Sequence, residues 1–262
     1  MILRRLSQSL KEQNWTAIWI EFVLLVAGVF LGIQVSNWNE AQADARLGRD
    51  YVRRLTRDLR EDLGAVRAQS AYYSAVLQSV RDADELLRAA DPDPRALVVN
   101  AYRATEINSI APVRATWDQI VASGHLGLLP AGAVESSLSQ YYAFDVPQDI
   151  YKLGLDSAYR QTVRRIIPLT TQEALRAGCS DVRDKRGFVL GFEKECKLDV
   201  APAELEAVAT ALHRDPAVLA DLQYQYSFVI SATLDLDGTE VTIIDGLKAL
   251  GAAPESSGQS SP

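Results

Sequence analysis

The chain has 262 residues, enough for one membrane segment and one soluble domain with a substantial core. Hydrophobic residues make up 48% of it, which excludes a disordered protein. There are 27 Lys and Arg against 34 Asp and Glu, a net charge of -7 and a pI near 5.0. Nucleic-acid binding as the main function is excluded, because phosphate contacts need a basic surface.

The most apolar segment runs from Ile18 to Val35, and Glu21 is its only charged residue. At about 1.5 Å per residue, a helix of this length approaches the ~30 Å hydrocarbon core of a bilayer. Indole rings favour the headgroup level, which makes interface anchors of three tryptophans: Trp15, Trp19 and Trp38. We therefore predict a single transmembrane helix over 18–38. The alternatives are a buried core helix and a signal peptide cleaved after Ala43.

The orientation of this helix is not decided by counting Lys and Arg at its two ends. The arm 1–17 is basic from its start, whereas Arg46 is the first positive charge after the helix. Long domains also translocate largely regardless of their own charge. We predict a short cytoplasmic arm, 1–17, and an extracytoplasmic domain.

One stripe of the apolar helix combines a carboxylate with small residues. Gly28 and Gly32 are four residues apart, a spacing that lets two helices approach closely in lipid. At 3.6 residues per turn, five residues share this stripe: Glu21, Leu25, Gly28, Gly32 and Val35. Our hypothesis is a helix–helix interface, in a homodimer or with another membrane protein. The alternative is that Glu21 reaches the headgroups and the glycines have no partner.

The segment after the membrane predicts a long helix. It lacks proline from Ser36 to Ala90, and apolar residues recur there with a spacing near 3.6. We predict a rigid stalk helix, 39–90, that continues from the membrane and ends before Pro92. Arginines and carboxylates alternate from Arg46 to Arg67, which predicts a solvated, salt-bridged face. The alternative for these arginines is contact with anionic lipid headgroups.

The rest of the chain predicts further helices, so we expect an all-α fold: one N-terminal transmembrane helix continuing into a helical-bundle soluble domain, 39–251. The expected helices and breaks are Arg95–Ile107, Ala115–Val121 with a glycine cap at Gly124, Gly132–Phe144, Gln148–Ala177 with a kink at Pro168, Ala203–Leu212, Asp215–Leu234, a turn over 235–240 and Glu240–Leu250. The Ser/Gly/Pro tail, 252–262, is expected to be disordered.

Cys179 and Cys196 bracket a polar, glycine-containing loop. In an extracytoplasmic domain the two would form a disulfide, and closing a loop of ~18 residues is worth about 3 kcal/mol in the chain-entropy model. In the reverse topology both would be free. The sequence has no second Cys or His pair nearby to complete a zinc site.

Two stretches carry a family resemblance. Phe22 to Glu40 ends in Asn37-Trp38-Asn39-Glu40, and the second stretch runs from Thr116 to Leu129, followed by the pair Tyr141-Tyr142. Both resemble stretches of a family of uncharacterised bacterial single-pass membrane proteins, a domain of unknown function. The resemblance implies a bacterial membrane location and a helical domain. Together with the orientation predicted above, it leads us to expect an inner-membrane protein with a periplasmic domain. It implies no activity.

No stretch carries a catalytic, metal or nucleotide signature. We interpret His125 as a capping or surface residue and His213 as a favourable charge at a helix C-terminus. The carboxylates around Gly238 lack the spacing of a calcium loop, and no phosphate-binding glycine loop is present. We therefore expect no catalytic activity, metal or cofactor.

The predicted function is a membrane-anchored helical interaction or scaffold module, whose partners are the lipid bilayer and another copy or membrane protein. The alternative is a sensor-like extracytoplasmic domain that binds a small ligand and acts through a membrane partner. An unrecognised enzyme is the third hypothesis. A pocket lined by Tyr, Arg and carboxylate side chains would favour the second or third, and a core filled with Leu, Val and Ile would favour the first.

Overall fold

The structure, a computed structural model, describes residues 15–253, with side chains from Trp19 onward except that of Ser136. The fold is 76% helix and 3% strand, which confirms the predicted all-α class. Most of the expected arm 1–17 and of the expected tail 252–262 lies outside the described residues, as does the side chain of Trp15.

The described helices and strands begin and end as follows. In chain order they are α1 (Trp15–Arg88), α2 (Pro94–Arg103), α3 (Ala115–Ala122), a 3₁₀ turn (His125–Leu128), a π turn (Val134–Leu138), α4 (Ser139–Ala143), α5 (Val146–Leu155), α6 (Ala158–Ile166), α7 (Leu169–Gly178), β1 (Asp181–Arg183), β2 (Val189–Phe192), α8 (Pro202–Arg214) and α9 (Pro216–Ala249). The predicted end of the first long helix before Pro92 is confirmed, since α1 ends at Arg88.

The chain divides into two units, Met1–Tyr51 and Val52–Pro262. The described part of the first unit is the N-terminal portion of α1. In the second unit, the apolar positions predicted from the 3.6-residue period of α1 form part of the core. All of the following are buried: Leu55, Leu59, Leu63, Val66, Tyr73, Leu77, Val80 and Leu87.

Within the second unit, α1 and α9 lie side by side in opposite directions. Arg67 Nε donates to Glu240 Oε1 at 2.8 Å, and Ser70 Oγ donates to Asp237 Oδ1 at 3.1 Å. The partner number falls as the α1 number rises, so the helices are antiparallel. Of the shorter helices, α6, α5 and the π turn pack on α9, whereas α2 packs on α8.

The expected turn over 235–240 is wrong, because α9 continues through it to Ala249. Leu236 and Thr239 in this stretch are buried, and Thr239 Oγ1 donates to the Asp235 carbonyl at 2.8 Å. Gly238 costs a helix about 1 kcal/mol relative to alanine. Burial of the neighbouring face of α9 outweighs that cost. This burial depends on tertiary packing and cannot be predicted from the local sequence.

The expected single helix over 148–177 is also wrong, because the structure divides it into α5, α6 and α7. Ser157 leaves helical geometry and starts α6 by accepting a hydrogen bond from Arg160 N at 3.2 Å. Ile167 is extended, as residues before proline prefer, so Pro168 separates two helices instead of kinking one.

The segment between the two cysteines was expected to be a loop, and it contains a small antiparallel hairpin of β1 and β2. Val189 in β2 is buried, and the Phe192 ring lies 5.4 Å from the Tyr72 ring of α1. The hairpin therefore covers part of α1, and its apolar side chains explain why a strand pair forms in a polar segment.

Candidate functional site

The first candidate surface is the N-terminal part of α1. From Trp19 to Trp38 every large apolar side chain is exposed, from 48% at Val26 to 66% at Leu24. Among the described residues, α1 contains the one stretch long and apolar enough to cross a bilayer. A continuous apolar surface of this kind is unfavourable in water.

The predicted stripe on this segment is open. A Cβ added at Gly28 or Gly32 would meet no atom within 4 Å. The Trp19 ring packs edge-on against Phe22 with centroids 6.0 Å apart, and Trp38 is 64% exposed. Glu21 and Leu25 are likewise exposed, so nothing in the described part of this unit covers the stripe.

The second candidate is a carboxylate cluster formed by Asp58, Asp62, Thr116, Tyr141 and the backbone of Val113. The sequence placed both aspartates on a solvated, salt-bridged face. That expectation is wrong for them, since each is only 2% exposed. They lie one turn apart on α1 and face the segments that pack against it.

Neutral donors satisfy Asp62. Its Oδ1 accepts from Val113 N at 2.9 Å, and its Oδ2 accepts from Tyr141 Oη at 2.8 Å. Burial raises the pKa of Asp62 to about 6, although both hydrogen bonds oppose the rise and the nearby charge of Asp58 adds to it. Asp62 therefore titrates well above the usual range of an aspartate.

Asp58 has one neutral and one charged partner. Its Oδ2 accepts from Thr116 Oγ1 at 2.5 Å, and the mostly exposed guanidinium of Arg57 lies 3.2 Å from its Oδ1. On the same side of α1, Arg54 donates to Gln119 Oε1 at 2.6 Å. Three residues of α1 thus hold α3 and its flanks in place.

Aromatic packing closes the carboxylate cluster. The Trp117 ring stacks on Tyr142 with centroids 4.7 Å apart and planes 13° apart, and Tyr142 meets Tyr141 edge-on. Arg114 donates to the Tyr142 carbonyl at 2.8 Å. The stretch from Thr116 and the Tyr141-Tyr142 pair, singled out in the sequence, therefore come together against α1.

The third candidate is an arginine cluster at the ends of α2, α6 and α7. Arg164 Nη2 donates to Glu106 Oε1 at 2.7 Å, and both side chains are mostly buried. The Arg164 guanidinium also lies 3.6 Å from the centre of the Tyr102 ring. We define the arginine cluster as Arg103, Arg160, Arg164 and Arg176 together with Tyr102 and Glu106.

The other arginines of the cluster make fewer hydrogen bonds and ion pairs than Arg164. Arg160 Nη1 donates to the Thr105 carbonyl at 2.5 Å, and Arg176 lies 3.6 Å from Glu106. Arg103 donates to the Glu193 carbonyl at 2.8 Å through Nη2, and its guanidinium lies 5.1 Å from the centre of the Phe192 ring. Burial lowers the pKa of Arg103 and of Arg160.

A small cavity of about 80 Å³ opens beside the arginine cluster, between α2, α7 and the hairpin. Its wall includes Tyr102, Arg103, Arg176, Ser180 and Asp181. Two buried polar atoms in this wall have no hydrogen-bond partner among the described residues, Tyr102 Oη and Arg103 Nε. Sequence reasoning missed this site, because its residues come from three separate elements and share no spacing.

A disulfide joins Cys179 and Cys196, the pair predicted from the sequence. Cys179 follows the last residue of α7 and also lines the cavity. Arg95 Nη2 donates to the Cys196 carbonyl at 2.5 Å, which fixes the other end of the hairpin to α2. The bridge therefore holds one wall of the cavity in place.

The two histidines lie apart from these clusters. His125 begins the 3₁₀ turn after Gly124, whose φ of +70° marks the predicted glycine cap, and His213 lies in the last turn of α8. Within residues 15–253, no group of three or more His, Cys, Asp and Glu residues could hold a metal ion.

Comparison with known proteins assigns the chain to no group. No protein family, no curated protein and no solved structure matches it. The resemblance to bacterial single-pass membrane proteins therefore stays a prediction, and function has to be argued from the three candidate sites.

Proposed function

We propose that this protein is a membrane-anchored helical interaction module, with 18–38 in the bilayer and the folded domain outside the cytoplasm. The observation that carries the proposal is the exposed apolar surface from Trp19 to Trp38. An α-helix over 18–38 is about 30 Å long, the thickness of the hydrocarbon core. Its ends carry the predicted interface anchors.

The contrast between the two units supports an anchor over a core helix. Large apolar side chains of α1 are exposed from Trp19 to Trp38, whereas Leu55, Leu59 and Leu63 in the second unit are buried. A soluble protein does not leave so long an apolar surface in water. Lipid is the solvent in which the segment from Trp19 to Trp38 is stable by itself.

The disulfide between Cys179 and Cys196 supports the orientation. Disulfides persist in oxidising compartments such as the bacterial periplasm and are rare in the cytosol. In the proposed arrangement the arm 1–17 is cytoplasmic, and the domain with the disulfide is periplasmic at the inner membrane.

Fusions at the C-terminus test anchor and orientation together. We expect alkaline phosphatase activity without fluorescence from a fluorescent-protein fusion, and all of the protein in the membrane fraction. Fluorescence without phosphatase activity would reverse the orientation. Val26→Arg with Val29→Arg should release the protein from the membrane, since each arginine costs about 3 kcal/mol at a helix centre. Val26→Leu with Val29→Leu is the matched control and should stay anchored.

The proposed module associates through the stripe of Glu21, Leu25, Gly28 and Gly32. Support comes from the open space above both glycines, since only such a face lets a second helix approach closely. The partner is a second copy or another single-pass helix. Lipid alone gives no reason for a carboxylate and two glycines to share one face.

A membrane two-hybrid assay tests self-association. Gly28→Ile with Gly32→Ile should abolish the signal, because two bulky side chains hold the helices apart. Val26→Ile with Phe30→Ile changes the opposite face and should leave the signal unchanged. An equal signal from wild type and the glycine variant would remove the homodimer.

One observation favours a second candidate function, a sensor-like domain. The cavity beside the arginine cluster is lined by tyrosine, arginine and carboxylate side chains, the combination that distinguishes a ligand site from a filled core. In this case occupancy of the cavity would change the association of the membrane helices. Arg176→Gln would then alter the two-hybrid signal, whereas Arg88→Gln on α1 would not.

A further inference from the structure

Positive charge is in excess at the arginine cluster. Four guanidiniums meet there, and the carboxylates that act on them are Glu106 and Asp181. Glu106 is already paired with Arg164 at 2.7 Å, and Asp181 is shared with Arg183 at 3.2 Å. Among the described residues, the cluster therefore holds three partly buried guanidiniums and the more exposed Arg176 with too few counter-charges.

The pKa shifts show which arginines the excess of positive charge affects. Burial lowers the pKa of Arg103 and Arg160, and the charge of Arg164 lowers that of Arg160 further. Arg176 differs, because Glu106 raises its pKa. An added negative charge beside Arg103 would relieve a cost that the protein alone leaves in place.

The hydrogen-bond donors of the cluster also favour an added anion. Tyr102 is 5% exposed, and no described residue accepts a hydrogen bond from its hydroxyl. Arg176 approaches this hydroxyl, but a guanidinium can only donate, so the tyrosine proton would still need an acceptor. Arg103 Nε is a second buried donor without an acceptor. Leaving such groups unpaired costs about 1–3 kcal/mol each.

From this geometry we propose that the cavity is a binding site for a small oxyanion, such as inorganic phosphate or the carboxylate of a small ligand. Arg103, Arg176 and the Tyr102 hydroxyl donate to its oxygens, and Ser180 stands at the rim. The cavity of about 80 Å³ holds on the order of five waters or one such anion. A larger ligand reaches it only with one anionic group.

The chemistry excludes other ligand classes from this cavity. A cation would meet two guanidiniums, and an apolar ligand would leave Tyr102 Oη and Arg103 Nε unpaired. An oxyanion satisfies both the charge and the donors, and bonds of this kind are the stronger, charge-assisted ones.

Arg103 and Arg176 have one other role to weigh, since both lie in the last turns of their helices and suit the negative end of the helix dipole. That role needs nothing from the Tyr102 hydroxyl. A variant that removes only the hydroxyl therefore separates an anion site from helix capping.

The test uses the whole chain in detergent micelles, titrated calorimetrically with sodium phosphate and separately with sodium acetate. Sodium chloride at matched ionic strength controls for general screening. We expect saturable binding of phosphate or acetate by wild type. Tyr102→Phe and Arg176→Gln should each weaken it about tenfold or more, the value of one hydrogen bond to a charged group. Arg88→Gln removes an equally accessible arginine elsewhere and should bind like wild type.

A helix-capping role would give a different result. Equal affinities for wild type, Tyr102→Phe and Arg176→Gln would contradict the proposed anion site. The proposal would also be contradicted if sodium chloride reproduced the effect, or if neither anion bound saturably. Preference for phosphate assigns the site to a tetrahedral anion, and preference for acetate assigns it to a carboxylate. Either preference supports the oxyanion.

This inference rests on the second candidate function for its biological meaning, and the two can fail separately. If phosphate binds but Arg176→Gln has no effect on helix association, the anion site is supported and the sensor function is contradicted. If Arg176→Gln changes helix association but neither anion binds, the sensor function is supported and the oxyanion site is contradicted.

Discussion

The carboxylate cluster and the arginine cluster are two polar regions of one domain that differ in how their charged groups are hydrogen-bonded. Both carboxylate oxygens of Asp62 accept hydrogen bonds from neutral donors, although the nearby Tyr142 hydroxyl has no partner among the described residues. Tyr102 and Arg103 instead have buried donors beside a cavity, and no described residue accepts a hydrogen bond from them. A carboxylate with both oxygens bonded positions helices, whereas cationic donors without acceptors have capacity left for an anionic ligand.

The largest effect should come from breaking the buried ion pair of the arginine cluster. Arg164→Met leaves Glu106 buried without its close partner and should lower the free energy of unfolding by about 4 kcal/mol. Urea unfolding of the detergent-solubilised chain measures this loss. Arg165→Met changes the exposed neighbour and should have little effect. Adding Glu106→Gln to Arg164→Met should recover part of the loss, and a loss equal to that of Arg165→Met would contradict the ion pair.

The next effect concerns the wall of the cavity. Cys179→Ser with Cys196→Ser should lower the free energy of unfolding by about 3 kcal/mol in the chain-entropy model. Wild type under reducing conditions should fall to the level of the double variant. If reductant leaves the unfolding curve of wild type unchanged, the bridge does not stabilise the domain.

The carboxylate cluster predicts a pH dependence of its own. The folded-state pKa of Asp62, about 6, exceeds its unfolded value of 3.8, so the folded protein holds this proton more tightly. The corresponding stability is complete below the unfolded pKa and is lost as the pH rises through about 6. Two units correspond to about 3 kcal/mol.

Asp62→Asn removes this titration and nothing else that ionises. Relative to wild type, the variant should gain stability as the pH rises from about 4 to about 6, with no further gain above. Unfolding curves of both proteins across this range give the difference. Asp145→Asn, which leaves a capping oxygen to accept from Gln148 N, is the control for replacing an aspartate by an asparagine. A constant difference between Asp62→Asn and wild type would mean that Asp62 is ionised throughout.

The smallest expected changes in the free energy of unfolding come from removing the hydroxyl of one buried tyrosine in each cluster. Tyr141→Phe removes the donor to Asp62 and should cost about 2 kcal/mol, as expected for a hydrogen bond to a charged group. Tyr102→Phe removes a hydroxyl whose proton has no acceptor among the described residues and should cost less than about 1 kcal/mol in the absence of an anion. Equal losses in the two variants would show that the clusters do not differ.

Parts of the molecule with a long regular pattern were predictable. The buried positions of α1 from Leu55 to Leu87 follow from a 3.6-residue period sustained over many turns. The glycine cap at Gly124 and the pairing of Cys179 with Cys196 also follow from local chemistry. Each of these features depends on neighbours in the sequence or on the only available partner.

Features that depend on distant partners were not predictable. Asp58 and Asp62 look like members of a solvated face until α3 and α4 supply Thr116 and Tyr141 as donors. The continuity of α9 through Gly238 depends on burial of its inner face. In each case the deciding partner lies tens of residues away, where spacing carries no information.

The sequence by itself determined the all-α class, the apolar segment near the N-terminus, the long amphipathic helix and the cysteine pair, because helical periodicity, hydrophobic length and residue counts are local properties. Only the tertiary structure decided which charges are buried and which donors lack a partner. Burial of a charge depends on what packs over it, and the arginine cluster is assembled from α2, α6, α7 and the hairpin. That is why its cavity is visible in the fold and not in the sequence.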